Sequence, residues 1–300
     1  MQYGFGAYRM ANERLFLCLG WLAVAAAAMP AHGQQSAPLQ AGTDYLTAAT
    51  GNPDINPFTG KDLESPLIGC AFIRLRVAEP RSLAWICLGP NRKPAHDQGL
   101  GVAAVLVQYD EHGHEIEDDY RGTNFAPLLT KDQGVAKVTY AYDAKGNQVE
   151  TDYFGYGKPI ATKDTGVAKI VNAYDDKGNA IEWDYFDIQG KPVAAKDSGV
   201  AKWTWKLDAQ GQATEWDYFG VDGKPAPILI WGIARRTRAY DANGHVLEEA
   251  YYDTEGKPAL RKDTGCARTT FAYDATGNET GQACLDLDGK TVNPPRAGPR

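Results

Sequence analysis

Seven glycines recur through this chain at a nearly constant spacing of 32 or 33 residues. Eight residues after each glycine lies a position that is tyrosine in five of the seven copies. A repeat of this period predicts small stacked units, because a short unit can bury its apolar face only against its neighbours. The glycines are Gly69, Gly101, Gly134, Gly166, Gly199, Gly232 and Gly265.

Each unit has the sequence pattern of a β-hairpin. Residues 135–142 and 149–154 are rich in Val, Tyr and Thr, and Asp143-Ala144-Lys145-Gly146-Asn147 between them is typical of a tight turn. A second turn follows, as in Asp187 to Pro192, and its proline favours a connector after it because proline cannot donate to a strand ladder. The sequence therefore predicts an all-β fold, an array of seven hairpin repeats over residues 69–293 that forms an extended, twisted sheet or solenoid.

The cysteines of the repeats occupy matching positions in the first and last units. Cys70 and Cys266 each follow the unit-opening glycine, and Cys87 and Cys284 occupy a position that is tyrosine in the five middle units. Four cysteines allow three pairings. Because each end unit holds both members of a pair, we expect Cys70–Cys87 and Cys266–Cys284 disulfides that stabilise the units lacking one neighbour.

The same repeat frame predicts a register within each hairpin. The turn should bring the two cysteine positions opposite one another, at a separation that suits a disulfide. In the third unit these positions are Val135 and Tyr153, which should therefore lie across from each other.

The amino terminus is typical of a secretory signal peptide. Arg9 and Arg14 precede an apolar run, and Ala31-His32-Gly33 ends a segment suited to cleavage. The run is short for a membrane span, so we expect no stable membrane insertion after cleavage. We interpret residues 1–33 as the signal, 34–68 as a linker or loosely ordered lead-in and 294–300 as a tail, and expect a periplasmic or secreted protein, where disulfides persist.

The repeated sequence motifs resemble the YD-type repeats of bacterial secreted and surface proteins, the group that includes the Rhs family. The resemblance rests on Tyr142-Asp143-x-x-Gly146-Asn147 and its copies at Tyr174, Tyr240 and Tyr273, and it covers about residues 69 to 293. It implies a chain of β-hairpins coiling into a sheet or shell. This sequence is far shorter than Rhs proteins, and we expect no separate toxin-like domain after its repeats.

Charge and motifs narrow the range of functions. The formal net charge of −7 argues against a nucleic-acid partner, which would need clustered Lys and Arg. Carboxylate pairs two residues apart are suited to acid and base chemistry on a sugar, but they recur in successive units, which favours a solvated strand face. The pairs are Glu150 with Asp152, Glu182 with Asp184, and Glu215 with Asp217.

Two other patterns could in principle bind a metal. Asp286, Asp288 and Gly289 resemble part of a calcium loop, although Asp and Gly also form turns without a metal. His112 and His114 flank a glycine in a hairpin turn, but they lack the spacing of a zinc motif. We interpret both as turns and expect no metal and no cofactor.

The aromatic residues of the fourth and fifth units are the strongest candidates for binding, and Trp183 and Trp216 should be neighbours in a row. These candidates are Trp183, Tyr185, Trp203, Trp205, Trp216, Tyr218 and Trp231. The alternative is that they fill the core. The sixth unit also departs from the repeat with an apolar run, residues 228–231, and a basic cluster, residues 235–238, that could dock an acidic partner or reflect drift.

These features favour an exported, non-enzymatic binding or structural scaffold whose partner is a protein or a cell-envelope polysaccharide. The alternatives are a glycan-processing enzyme that uses a Glu/Asp pair and a calcium-stabilised surface array.

Overall fold

The computed structural model describes residues 67, 69–76 and 81–293. The expected signal peptide, the tail and nearly all of the lead-in lie outside the described residues, as does the first tyrosine-equivalent position, Val77. Every regular element of the described residues is a β-strand, which confirms the all-β prediction.

The chain divides into two compact units, Met1–Lys163 and Asp164–Arg300. In the first unit, β1 to β6 pair in chain order as antiparallel neighbours, and the two-residue β7 pairs with β6. The strands are β1 (Ala71–Arg76), β2 (Ser82–Leu88), β3 (Ala104–Tyr109), β4 (Glu115–Arg121), β5 (Lys137–Tyr142), β6 (Gln148–Gly155) and β7 (Lys158–Pro159).

The second unit repeats this arrangement, with each strand antiparallel to the next from β8 to β16. The described part of the chain thus holds the seven hairpins expected from the repeat. The strands are β8 (Lys169–Tyr174), β9 (Ala180–Phe186), β10 (Lys202–Leu207), β11 (Ala213–Phe219), β12 (Arg235–Tyr240), β13 (Val246–Tyr252), β14 (Arg268–Tyr273), β15 (Glu279–Leu285) and β16 (Thr291–Val292).

The hairpin turns of the second to seventh units are each closed by an aspartate. The Oδ1 atom of Asp143 accepts hydrogen bonds from the backbone N–H groups of Lys145 and Asn147, both at 2.9 Å. Gly146 adopts a φ of +84°, a conformation that glycine reaches without strain, and its N–H donates to the Asp143 carbonyl at 3.0 Å. The Asp-x-x-Gly-Asn word is therefore sufficient to specify this turn.

The predicted register within the hairpin is wrong by three residues. Tyr153 lies opposite Val138, and Val135 precedes β5. The turn is a five-residue loop, and the ladder shifts between Ala141 and Tyr142, so the centre of the hairpin lies closer to the carboxyl terminus than we expected. Val135 is nevertheless fully buried, because the chain bends just before the strand.

The bend before each hairpin explains the unit-opening glycine. Gly134 has a φ of +71°, its N–H donates to the Thr130 carbonyl at 3.0 Å, and the side chain of Lys163 from the next loop lies where a Cβ atom would project. A larger residue would be strained and would displace that lysine. The prolines of the second turns form short bridges to the strand before them, as expected for connectors.

The two sides of each sheet differ in composition. We name the side that carries the tyrosines of the middle units the aromatic face; these are Tyr120, Tyr153, Tyr185, Tyr218 and Tyr251. The opposite side carries the Glu/Asp pairs, and we name it the charged face. Buried valines such as Val105, Val107 and Val138 lie on the aromatic face, so the core is on that side.

Both predicted cysteine pairings are confirmed. The sulfur atoms are at bonding distance in Cys70–Cys87 and in Cys266–Cys284, and the Cα atoms lie 5.7 Å and 5.3 Å apart. Cys284 is opposite Thr269 in the ladder, so Cys266 reaches it from the bend before β14. The bridge joins a connector to the sheet.

Replacing Cys266 and Cys284 together with alanine should lower the free energy of unfolding by about 2–3 kcal/mol, since the bond closes a loop of 18 residues in the unfolded chain. Denaturant titration of the oxidised protein and the double variant measures this difference. The control is the same comparison under reducing conditions, where neither protein holds a disulfide and both should be equally stable. An unchanged midpoint of the oxidised double variant relative to the oxidised native protein would contradict the role of the bridge.

Candidate functional site

Three of the seven predicted binding aromatics are buried and fill the core of the second unit. The solvent-exposed fractions of Trp203, Trp216 and Tyr218 are 6%, 2% and 1%. The ring of Trp203 meets that of Tyr218 edge-on, with centroids 4.8 Å apart. These side chains stabilise the sheet by burying large apolar surfaces and cannot contact a partner of the folded protein.

The tryptophans do not form the row that we expected. Strand β10 lies between β9 and β11, so Trp183 is opposite Trp203, and Trp216 is opposite Trp205. The expectation that Trp183 and Trp216 are direct neighbours is therefore wrong. Equivalent positions of successive hairpins are always separated by one strand, because each unit contributes two.

The remaining predicted aromatics, Trp183, Tyr185, Trp205 and Trp231, are half-buried. The rings of Trp183 and Trp205 meet edge-on with centroids 5.0 Å apart, and Trp205 also lies 6.2 Å from Trp203. Trp183 and Trp205 thus form a pair that lies beside the buried rings of Trp203 and Trp216 on the same face and retains accessible surface. We name this pair the tryptophan platform.

The basic cluster of the sixth unit is neutralised within the sheet. Arg236 retains 3% of its exposed surface, and its guanidinium carbon lies 3.9 Å from the centroid of the Trp216 ring. Its Nη1 atom is 3.8 Å from Oε1 of Glu249, and Arg238 donates to the same carboxylate. The Nε atom of Arg235 donates to Asp217 at 2.5 Å. Arg236 and Arg238 are therefore part of the core, Arg235 is paired on the charged face, and the cluster does not form a free basic surface.

Glu249 is the anion that holds this cluster together. Burial opposes its ionisation, but Arg236, Arg238 and the Tyr251 hydroxyl, which donates at 2.9 Å, together hold its pKa below the ordinary value. Arg261 completes the arrangement, with its guanidinium carbon 5.1 Å from the Trp231 ring and 5.0 Å from the Tyr251 ring. The cations stack on aromatic faces, as expected for desolvated arginines.

Two of the three predicted Glu/Asp pairs form a ladder of ion pairs with a cation of the following hairpin. Nζ of Lys202 lies 2.9 Å from Glu182 and 3.2 Å from Asp184. Arg235 contacts Glu215 and Asp217 in the same way. Further rungs are Lys137 to Glu117 at 2.6 Å and Arg268 to Glu248 at 3.4 Å. The charged face therefore links successive hairpins.

The ladder also separates the pKa values within a pair. Burial and the neighbouring Glu182 raise the pKa of Asp184, whereas burial of Glu182 is outweighed by Lys202, which lowers its pKa. A catalytic acid and base would show the same separation. Glu215 and Asp217 show the same separation, with Lys206 and Arg235 as the cations that lower the pKa of Glu215.

His114 acts as part of a turn. Its Nδ1 atom lies 2.8 Å from Oδ2 of Asp110, and its ring stacks on Tyr142 at 4.6 Å. Asn147 occupies the equivalent position in the next unit and donates to its own aspartate at 2.8 Å. His112 is exposed. Histidine thus takes the place of asparagine in closing the loop.

The Asp286-Leu-Asp288-Gly289 segment is also a turn. Oδ1 of Asp286 accepts the backbone N–H groups of Asp288 and Lys290, at 3.0 and 2.9 Å, and the Gly289 N–H donates to the Asp286 carbonyl. Within the described ranges, no group of three His, Cys, Asp or Glu side chains is arranged to hold a metal ion.

A buried acid of the first unit was not singled out from the sequence. Asp118 is fully buried on the aromatic face, beside Val107 and Val138. One carboxylate oxygen accepts the Tyr140 hydroxyl at 2.5 Å, and the other has no hydrogen-bond partner. Burial, reinforced by the charge of Glu115, raises its pKa well above the ordinary value. Aligning the repeats would have located it, since the equivalent residues are Thr151, Trp183, Trp216, Glu249 and Gln282.

No protein-family model matches the sequence, and no curated protein matches it. Among solved structures, the chain is similar to part of the TcdB2-TccC3-Cdc42 complex, with a TM-score of 0.43, 10% identity and coverage of 72% of this chain and 9% of that chain. It is also similar to the Photorhabdus luminescens Tc holotoxin pore (TM-score 0.33, 11% identity, 72% and 10% coverage) and to TcdB2-TccC3 (TM-score 0.32, 11% identity, 71% and 11% coverage). The chain spans about a tenth of the length of these proteins.

Within the part of the chain that the structure describes, no helix has the length and apolar character needed to cross a membrane.

Proposed function

We propose that this protein is an exported, non-enzymatic scaffold that holds an envelope polysaccharide on its aromatic face. The observation that carries the proposal is the tryptophan platform: Trp183 and Trp205 keep accessible surface although their neighbours are buried. Half-exposed indole rings held rigidly in a sheet present flat apolar surfaces, which suit the apolar faces of sugar rings. The repeated sheet positions this pair without a mobile loop.

The ion pairs of the charged face support a role without catalysis. In two of the three pairs, the carboxylates that could act on a glycosidic bond contact a lysine or arginine of the next hairpin, as Glu182 contacts Lys202. Their separated pKa values follow from that contact, and they recur from unit to unit. These contacts support a stabilising role for the pairs.

Export fits the two disulfides that close the first and last hairpins. Such bonds persist in the periplasm and outside the cell and are rare in the cytosol. An extracellular scaffold without a metal or cofactor needs this kind of covalent support at its ends, where stacking is incomplete.

The proposal predicts that Trp183→Ala combined with Trp205→Ala weakens binding to an immobilised envelope polysaccharide fraction by about ten-fold or more, as expected for the loss of two aromatic anchors. Phe271→Ala is the matched control, since Phe271 holds the position of Trp205 two units further on, and it should bind as the native protein does. Retention measured on the immobilised polysaccharide distinguishes them.

Two results would contradict the proposal. Native protein that is retained by envelope proteins but not by the polysaccharide would make the partner a protein. Equal retention of the double variant and the native protein, with the fold intact by circular dichroism, would exclude the tryptophan platform as the binding site.

A further inference from the structure

Strand β15 has a free edge within the part of the chain that the structure describes. Apart from β14, it pairs there only with the two-residue β16, at Cys284 and Leu285. The residues before them, from Glu279 to Gln282, are all exposed. Glu249, the equivalent of Gln282 in β13, is only 8% exposed, and β14 pairs with β13 at that point. The last hairpin thus leaves open the edge that receives the next strand in the hairpin before it.

Four junctions between hairpins share one register of three residue pairs. At the junction of β13 with β14, residues 248–250 lie opposite residues 268–270. Strands β4 and β5, β9 and β10, and β11 and β12 pair in the same way. One unit further along the chain, the three positions on β15 are Gly281, Gln282 and Ala283.

The backbone of β15 is oriented to form such a junction. At the junction before it, the N–H of Tyr251 donates to the Ala267 carbonyl at 3.1 Å. Alternate residues of a strand direct their N–H groups to the same edge, so Glu249 faces β14 in the same way. The N–H of Gln282, its equivalent, therefore faces the free edge of β15.

The first residue of a hairpin is matched in charge to the strand before it. Strands β5, β10, β12 and β14 begin with a cation that contacts a carboxylate of the preceding strand; these cations are Lys137, Lys202, Arg235 and Arg268. Strand β3 begins with Ala104, which lies opposite the uncharged Ile86. Since β15 has Gly281 and Ala283 at the positions of the carboxylates, it fits a strand that begins with a small uncharged residue.

Strand β1 meets this requirement. It begins with Ala71, which lies opposite Leu88 as Arg268 lies opposite Leu285 in the last hairpin. Among the described strands, β1 pairs only with β2. The register of the inner junctions would place residues 71–73 opposite residues 281–283. Strand β15 also contains neither Lys nor Pro, which commonly protect an exposed edge from pairing.

We propose that copies of this chain associate head to tail, with β15 of one copy pairing with β1 of the next in the register of the inner junctions. Backbone hydrogen bonds supply the affinity, as they do when a strand is added to the edge of a sheet. The two surfaces that meet are different, so the contact can continue from copy to copy. The array of hairpins is thereby extended beyond a single chain.

The first test is disulfide cross-linking of the full exported chain that carries Ile73→Cys and Gly281→Cys. The proposed register places these two residues opposite one another, and a Cβ atom at Gly281 would meet no atom within 4 Å. Under mild oxidation the double variant should form covalent dimers and longer chains, seen on a non-reducing gel. Ile73→Cys with Thr280→Cys is the matched control and should stay monomeric, because neighbouring residues of a strand lie on opposite faces of the sheet.

The second test measures association without a cross-link. Sedimentation velocity of the native protein should show species that grow with concentration. Gln282→Pro should weaken this association by about ten-fold or more, since proline removes the N–H that faces the free edge. Gln282→Ala keeps that N–H and should associate as the native protein does. Circular dichroism of each variant verifies that the fold is intact.

Three results would overturn the proposal. The native protein would stay monomeric at every concentration, the two added cysteines would join within a single chain, or Gly281→Cys alone would form covalent dimers. The second result would mean that β15 pairs with β1 of its own copy, and the third that two β15 strands pair with each other.

Discussion

Replacing Arg236 with alanine should lower the free energy of unfolding by about 3–5 kcal/mol. The Glu249 carboxylate would stay buried but would lose one of the two guanidinium groups that balance its negative charge. The substitution also removes the guanidinium that lies on the Trp216 ring and opens a cavity beside it. Urea titration of the native and variant proteins measures the difference. The substitution leaves the ion pairs of the charged face unchanged, because Arg236 is on the opposite face.

The neighbouring arginine supplies the control. Arg235 is on the opposite face of β12, and its side chain is 42% exposed while it pairs with Asp217. Arg235→Ala should cost about 1 kcal/mol or less, as expected for an exposed ion pair. In a double-mutant cycle, Glu249→Gln should reduce the cost of Arg236→Ala, since the uncompensated charge is gone. Equal costs for the two arginines would contradict the buried role of Arg236.

Replacing Asp118 with asparagine should stabilise the protein at pH 8 by about 3–4 kcal/mol, because the native state then no longer buries a carboxylate without a cationic partner. Asparagine keeps an oxygen for the Tyr140 hydroxyl. The pKa of Asp118 is raised in the folded state, so the native protein binds a proton that the unfolded chain releases above about pH 4. The stability of the native protein relative to the variant should therefore fall as pH rises from about 4 through the raised pKa.

Unfolding free energies of both proteins at pH 4 and pH 8 test this expectation. The difference should be small at pH 4 and large at pH 8. The same measurements on Asp119→Asn give a comparison with a carboxylate that has a cationic partner. Asp119 is the adjacent residue on the opposite face and pairs with Arg121. A constant difference between native protein and Asp118→Asn at the two pH values would show that Asp118 is not a buried acid.

The repeat predicted the strands and turns because both depend on local sequence. Asp143 and Gly146 close their loop with hydrogen bonds that lie within five residues, so the same word forms the same turn wherever it occurs. The cysteine pairing was predictable for a related reason: Cys266 and Cys284 belong to one unit and are brought together by that unit's own hairpin and bend.

The register and the core chemistry could not be predicted in this way. The position of Tyr153 opposite Val138 depends on a shift in the ladder beside the turn, which the spacing of Val135 and Tyr153 does not reveal. The burial of Arg236 depends on Trp216 in one strand and Glu249 in another. Arginine is ordinarily exposed, and only contacts between hairpins make Arg236 part of the core.

The candidate site was predicted in part. The sequence singled out a set of aromatic residues, but burial divides them, and it depends on which neighbouring strand covers each ring. Trp216 is covered by Arg236, whereas Trp183 and Trp205 keep accessible surface. The repeat predicts where such residues lie along the strand and on which face; it does not predict which of them a side chain from the next hairpin will cover.

The release of new reducing ends from the envelope polysaccharide during incubation with the purified protein tests most directly whether the sheet is a scaffold. We predict that the native protein retains the polysaccharide and releases none, and that Glu182→Gln combined with Glu215→Gln changes neither result although it weakens the ladder. Reducing ends that the native protein releases and this double variant does not would contradict the account and make the carboxylate pairs a catalytic centre.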